Sequence, residues 1–253
     1  MCLILFAHEA RPGHRLILAA NRDEFLSRPT APMAFWADCH GILAGRDLKQ
    51  GGTWLGMDRS GRMAALTNYR DPASVNPQAP SRGAIIPEYL ESGLPPARFL
   101  EHLKKDAHMY NGFNIIMGDP EALFWFSNRQ RDIHRLSPGI YGLSNHLLNT
   151  PWHKVRSGIK GLSNLVHGLG DLDEEALFTL LSSREIPPDT ELPDTGVGLE
   201  WERILAPMFI TSPLYGTRSS TVLVMDDQGR SRLTERTFDA EENNGYDERT
   251  FSV

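Results

Sequence analysis

Apolar and polar residues alternate in short blocks along the chain, and these blocks predict two groups of strands. CLILFAH and LILAANRDEF are apolar runs on either side of a Pro-Gly turn, which is typical of an antiparallel hairpin. GILAGRD, GTWLGMD and RMAALTNYR predict three more strands, the last two joined by the turn DRSG. The later runs GFNIIMGD, ALFWFSN, DIHRLS and GIYGLSN form a second group, and STVLVMD and RSRLTERTF predict a closing hairpin.

Helical spacing separates these groups of strands. RGAIIPEYLES and PPARFLEHLKKDAHMYN follow the first group, and PWHKVRSGIKGLSNLVHG and DEEALFTLLSS follow the second. Runs of strands that alternate with runs of helices predict an α+β fold rather than βαβ units. Two antiparallel sheets packed between helical layers fit this order. We expect one domain over residues 1–253, with a polar and loosely held C-terminal tail over about 239–253.

Composition narrows the classes of function. The net charge of −6 argues against a nucleic-acid partner, which would require a basic face. No apolar stretch reaches membrane-spanning length, and the apolar N-terminal run ends at residue 7 without a basic segment before it, so no signal peptide is predicted. The two cysteines do not make a disulfide framework, and no metal site is predicted. The chain is therefore expected in the cytoplasm.

The cysteine directly behind the initiator methionine has two interpretations. Cys2 can be a small buried residue of a core strand, as most free cysteines are. If Met1 is removed, the same residue carries a thiol and a free α-amine. The amine has a pKa near neutrality (about 7.7–8.0) and can act as base for the thiol, which is the arrangement of an N-terminal nucleophile.

The segment ANRDEF ends the strand next to that of Cys2. In an extended strand Asn21 and Asp23 share one face, while Arg22 and Glu24 share the other. These residues are either a charged strand end before a solvated loop, or Asn21 and Asp23 point at the Cys2 amine and hold it in place.

Three further polar residues lie at the ends or starts of predicted strands. Asn68 and Asn145 each end an apolar run, where an amide either caps a turn or donates to a developing oxyanion. Arg218 opens a late strand, where it is either a surface residue or a partner for a thiolate or a substrate carboxylate.

Several motifs together resemble one known family. MCLILF, ANRDEFLSRPT, GGTWLGMD, LTNYRDP, SRG, GLSN, TPWHKV and GTRSSTVLV appear in the order of the NRDE-domain family, the transport and Golgi organisation protein 2 family. The resemblance runs from residue 2 to about residue 238. It implies a haem-handling or haem-trafficking role inside the cell, and effects on lipid and acyl-CoA metabolism.

A second resemblance is to the choloylglycine and penicillin-V acylases, which are N-terminal-cysteine hydrolases with an αββα sandwich. It implies that Cys2 is the nucleophile, that Asp23 holds the amine, that Asn21 matches the asparagine of the same stretch, and that Asn68 and Asn145 are the two amides of the site. The arginine of that family falls on Ala20, and Arg22 is expected to project to the opposite face and not to replace it. The late arginine of the family is matched by either Arg203 or Arg218.

Two functions are therefore expected from the resemblances. One is a pocket for a small amphiphile, haem or an acyl-CoA-like molecule, with haem as cargo rather than catalytic cofactor. The other is a hydrolase or acyl transferase in which Cys2 attacks an amide or an acyl thioester. The candidate ligand contacts are Arg22, Arg203, His8 and His146.

Overall fold

The predicted N-terminal hairpin, β1 (Cys2–Arg11) and β2 (His14–Phe25), lies in the middle of one sheet in the computed structural model, which describes residues 2–238 and 245–253. β2 also pairs with the late strand β11 (Tyr215–Asp226), and this sheet has the order β10-β1-β2-β11-β12-β13. All of its pairings are antiparallel.

The second sheet keeps its strands in chain order, β3-β4-β5-β6-β7-β8-β9, again antiparallel throughout. The remaining strands of the fold are β3 (Thr30–Phe35), β4 (Ile42–Asp47), β5 (Leu55–Asp58), β6 (Met63–Asn68), β7 (Phe113–Gly118), β8 (Leu123–Ser127), β9 (Ile133–Arg135), β10 (Gly139–Leu143), β12 (Ser231–Phe238) and β13 (Tyr246–Ser252). The helices are α1 (Ile85–Ser92), α2 (Pro96–Asp106), α3 (His153–Val166), α4 (Glu174–Leu181) and α5 (Leu199–Leu205).

Strand alternation divides the core into layers. Ile4, Phe6 and Leu18 point between the two sheets, whereas Leu5 and Ala19 point to the opposite side, where α3 and α4 pack. On the far side of the second sheet, α1 and α2 cover another apolar cluster. The α+β fold with two antiparallel sheets between helices is therefore confirmed.

The C-terminal tail differs from the expectation. Residues 239–244 lie outside the described part of the chain, but Tyr246–Ser252 is the edge strand β13, paired with β12. The ring of Phe251 contacts that of Phe35 from the other sheet, with ring centroids 6.0 Å apart. Most residues of β13 are polar and exposed, which is typical of a loose tail. Its pairing with β12 and the contact of Phe251 with the core nevertheless hold it in the fold.

No helix in the described ranges is long and apolar enough to cross a membrane.

Replacing Phe251 by Ala tests whether β13 is part of the folded core. The substitution removes a half-buried ring from the space between the sheets, so we expect a loss of about 2 kcal/mol in the free energy of unfolding, below the ~3–5 kcal/mol of a fully buried Phe→Ala change. Denaturant titration measures it. Asp247→Ala, at an exposed position of the same strand, is the control, and equal stabilities for the two variants would contradict the assignment.

Candidate active site

A cavity of about 160 Å³ opens at one end of the two sheets, and Cys2 lies in its wall. Both sheets contribute, through the start of β1, the end of β2 and the end of β6, together with the loops around residues 50–54 and 81–83. The lining is mostly polar and comprises Cys2, Arg22, Asp23, Glu24, Arg28, Asp47, Gln50, Thr53, Trp54, Leu66, Asn68, Ser81, Arg82 and Gly83.

The position of the thiol follows from strand register. Cys2 lies directly opposite Arg22 in the β1–β2 pair, so the two side chains share the face between the sheets. The backbone N–H of Asp23 donates to the sulfur. Burial raises the pKa of the Cys2 thiol above its ordinary value, and the charge of Asp23 raises it further, while Arg22 acts in the opposite direction.

The side chain of Arg22 projects from a different face of the strand than was expected from the sequence. Because Ala20 and Arg22 are two residues apart on one strand, they share a face, and the expectation that Arg22 projects away from the site was wrong. Its guanidinium lies 4.1 Å from the centre of the Trp54 ring, and the residue is 5% exposed. Arg22 therefore lies on the same side of the strand as Ala20, next to Cys2.

Asn21 and Asp23 point to the helical side of the sheet, as their alternation with Arg22 requires. The Asn21 amide donates to the carbonyls of Leu181 and Met208 at 2.9 and 2.8 Å, and its oxygen accepts from Ser220 Oγ at 2.6 Å. Asn21 thus joins the sheet to the helical layer rather than lining the cavity.

Asp23 both lines the cavity and belongs to a buried charged cluster behind Cys2. Its Oδ1 accepts from Thr217 Oγ1 at 2.7 Å, and the Tyr215 hydroxyl donates to its backbone carbonyl at 2.9 Å. Burial raises the pKa of the Asp23 carboxyl, while Lys154 and Thr217 favour the carboxylate. Burial lowers the pKa of Lys154 to about 8, and its ammonium donates to the Leu205 carbonyl at 2.9 Å.

A buried ion pair completes this cluster. Arg70 Nη1 donates to Glu202 Oε2 at 2.6 Å, and both residues are buried. The neighbouring Arg203, a predicted ligand contact, is exposed and pairs with Asp189 on the surface. One residue along a helix turns the side chain by about 100°, which places Glu202 inside and Arg203 outside.

The two predicted amide donors have different surroundings. Asn68 ends β6 and lines the same cavity as Cys2. Asn145 is fully buried, and its side-chain amide donates to the Asn68 carbonyl at 2.9 Å. Asn145 therefore positions Asn68 and does not itself line the cavity.

Arg218 lies behind the wall of the cavity. Its Nη1 donates to the carbonyls of Phe25, Leu26 and Arg28 at 3.0–3.2 Å, so it holds the chain that leaves β2. Arg218 is not among the residues that line the cavity, and its predicted role as partner of the thiolate or of a substrate carboxylate stays a prediction.

The two candidate histidines lie outside the cavity. His8 is buried near the other end of β1, six residues from Cys2. His146 has Tyr69 Oη 2.7 Å from its Nε2 and Thr150 Oγ1 2.9 Å from its Nδ1, so both ring nitrogens are engaged. Over the described residues no group of three or more His, Cys, Asp or Glu side chains could hold a metal ion.

The loops of the second sheet supply lining residues that the sequence did not single out. A Cβ on Gly52 would lie 2.4 Å from the Gly83 carbonyl group, so this close approach requires glycine. The approach lets Thr53 N donate to the Gly83 carbonyl at 3.0 Å and brings Trp54 and Arg82 to the cavity. In the sequence, the glycines of GGTW and SRG were the signal that could have indicated these two loops.

The fold has distant likenesses among solved structures. An N-acylethanolamine-hydrolyzing acid amidase ortholog from Caenorhabditis elegans has 13% identity and a TM-score of 0.45, covering 88% of this chain and 92% of that one. The C2A mutant of a conjugated bile acid hydrolase from Clostridium perfringens has 12% identity and a TM-score of 0.45, covering 98% and 92%.

Sequence relatives match at higher identity. Transport and Golgi organization protein 2 homologs from Bos taurus and Homo sapiens are 37% and 35% identical, over 94% and 99% of this chain and 93% and 98% of their own lengths. The protein of that name from Drosophila melanogaster is 30% identical over 94% of the chain. The model of the family matches residues 1–240. The chain therefore belongs to the Transport and Golgi organisation 2 family.

Proposed function

We propose that the protein is a hydrolase or acyl transferase whose nucleophile is the Cys2 thiol, acting on an amide or an acyl thioester. The observation that carries the proposal is the position of this thiol in the wall of a polar cavity, with Asn68, from the other sheet, in the lining of the same cavity. A nucleophile and an amide donor that line one cavity can both reach a carbonyl group bound there.

The proposed reaction requires that Met1 be removed. The freed α-amine takes the thiol proton, the sulfur attacks the carbonyl carbon, and the Asn68 amide donates to the oxyanion. Collapse of this intermediate breaks the C–N or C–S bond, and the proton passes to the leaving amine or thiol. Water then attacks the acyl-cysteine to give the acid and the free thiol, or another nucleophile takes the acyl group.

The electrostatics of Cys2 support the need for a local base. Burial and Asp23 hold the thiol in its neutral form, which is a poor nucleophile. An α-amine on the same residue supplies the base, and its ammonium form favours the thiolate. Asp23 and Lys154 behind the strand are the charges that would surround this amine.

The first prediction concerns the N-terminus and turnover together. Tagless protein expressed from its own start codon should have an intact mass that lacks Met1, and should cleave a panel of S-acyl N-acetylcysteamine thioesters and N-acyl p-nitroanilides. Cys2→Ala should abolish turnover and the acyl adduct seen by mass spectrometry, because the attacking sulfur is gone.

Cys39→Ser is the matched control, since this second thiol donates to Glu91 away from the cavity. It should retain turnover. A Cys2→Ala protein with full activity, or a native protein that keeps Met1, would contradict the proposed mechanism.

The second prediction concerns the pH dependence of Cys2 alkylation in the Cys39→Ser background. Because burial raises the thiol pKa, protein that keeps Met1 should react with iodoacetamide at a rate that still rises above the ordinary thiol pKa of about 8.5. Protein with a free Cys2 amine should reach its plateau at lower pH, because the adjacent ammonium favours the thiolate. Identical profiles for the two forms would contradict this account.

The haem-handling role and the cytoplasmic location stay predictions. The arginines of the cavity are suited to the propionates of haem, but its volume is below the ~300–1,000 Å³ of pockets that enclose drug-sized ligands, so the macrocycle would lie mostly outside. Haem titration in the Soret region should show saturable binding at micromolar protein, weakened in Arg22→Gln. No saturable change would contradict direct binding.

A further inference from the structure

The most unusual charge in the cavity is the guanidinium of Arg22. The residue is 95% buried, since 5% of its surface is exposed, and one face of its guanidinium lies against the Trp54 ring. Its Nη1 has no hydrogen-bond partner among the described residues, although Arg22 lines the cavity with Cys2. A buried cation with an unused donor is costly unless something pairs with it.

The carboxylates that line the cavity are engaged elsewhere. Asp47 Oδ2 lies 2.5 Å from Arg28 Nη2, and Glu24 Oε2 lies 3.8 Å from Arg28 Nε. Asp23 is on the opposite face of β2 and accepts from Thr217. Burial lowers the pKa of the Arg22 guanidinium and Arg218 lowers it further, whereas Glu24 and Asp47 favour the protonated form.

A second guanidinium lies in the same wall. Arg82 also lines the cavity, and its Nη1 donates to the Gly112 carbonyl at 2.9 Å. Three arginines, Arg22, Arg28 and Arg82, thus line a cavity in which Arg28 already has carboxylate partners. The lining also holds three carboxylates, but two of them, Glu24 and Asp47, are paired with Arg28, and in the described residues neither Arg22 nor Arg82 forms an ion pair.

We infer that Arg22 is the binding site for an oxyanion of the substrate, a carboxylate or a phosphate, held next to the Cys2 sulfur. The planar fork of the guanidinium suits such a group, and Trp54 fixes the plane of that fork. Under the proposed function, the substrate is an anionic acyl compound rather than a neutral lipid amide. The anion site itself does not depend on turnover.

The test compares two alkylating reagents of similar size and different charge. In the Cys39→Ser protein, the rate constants of Cys2 with iodoacetate and iodoacetamide are measured, and their ratio is compared with that for free glutathione. A charge-assisted contact at Arg22 should raise the ratio at Cys2 at least about tenfold above that of glutathione.

Arg22→Gln should remove this preference, and Arg22→Lys should keep part of it because the positive charge remains. Arg59→Gln is the matched control: its guanidinium also lies over an aromatic ring, 4.0 Å from the centre of Phe35, but outside the cavity lining, and the ratio should not change. Protection of Cys2 from iodoacetamide by acetate or by inorganic phosphate then tells which oxyanion is preferred.

A ratio no higher at Cys2 than in glutathione would overturn the inference, even if Arg22→Gln does not fold. So would an Arg22→Gln protein that reacts more slowly with both reagents to the same extent, since Arg22 would then act on the thiolate alone. The reagents react whether or not the protein is an enzyme. A protein that prefers iodoacetate but cleaves no acyl substrate would therefore refute the hydrolase and retain the anion site.

Discussion

The register of β1 against β2 is the constraint on which the site depends. Cys2 lies opposite Arg22, so thiol and guanidinium share the face between the sheets, while Asn21 and Asp23 take the face toward the helices. A slip of one residue would exchange these faces. The register is fixed because the apolar residues of both strands alternate between two separate cores.

The charged cluster behind Cys2 explains how a carboxylate is kept in the interior. Asp23 has a hydroxyl donor in Thr217 and the positive charge of Lys154 nearby, and Arg70 and Glu202 form a second buried pair. Buried ion pairs add little stability compared with well-packed apolar groups, and removing one partner leaves an uncompensated charge. We attribute to this cluster the positioning of charge around the start of β1 rather than stability of the fold.

Much of the fold could be predicted from local patterns, and the site only in part. The pattern of apolar and polar residues predicted the hairpin and both groups of strands, because each strand buries at least one of its faces in an apolar core. The tail was misjudged because β13 has one anchoring residue, Phe251, in a polar segment. The sequence could indicate that Cys2, Asp23 and Asn68 lie near one another, and all three line one cavity, because they are at the ends of strands that meet.

The remaining site residues depend on contacts between distant parts of the chain. Lys154, Arg70 and Glu202 come from separate segments, and nothing local distinguishes a buried charge from a surface one. Arg203 was offered by the family resemblance, and the sequence could not show that Glu202 lies inside and Arg203 outside, because the phase of the short helix α5 depends on its packing. For Arg218, the sequence could not show that three carbonyls after β2 would occupy its guanidinium.

The order of strands in the first sheet has a consequence for synthesis of the protein. β1 and β2 emerge first from the ribosome, but their outer neighbours are β10 and β11, which lie more than a hundred residues later. The meander of the second sheet needs only neighbouring strands and can pair as it is made. During synthesis, the hairpin of β1 and β2 therefore has neither of its outer neighbours until β10 and then β11 have been made.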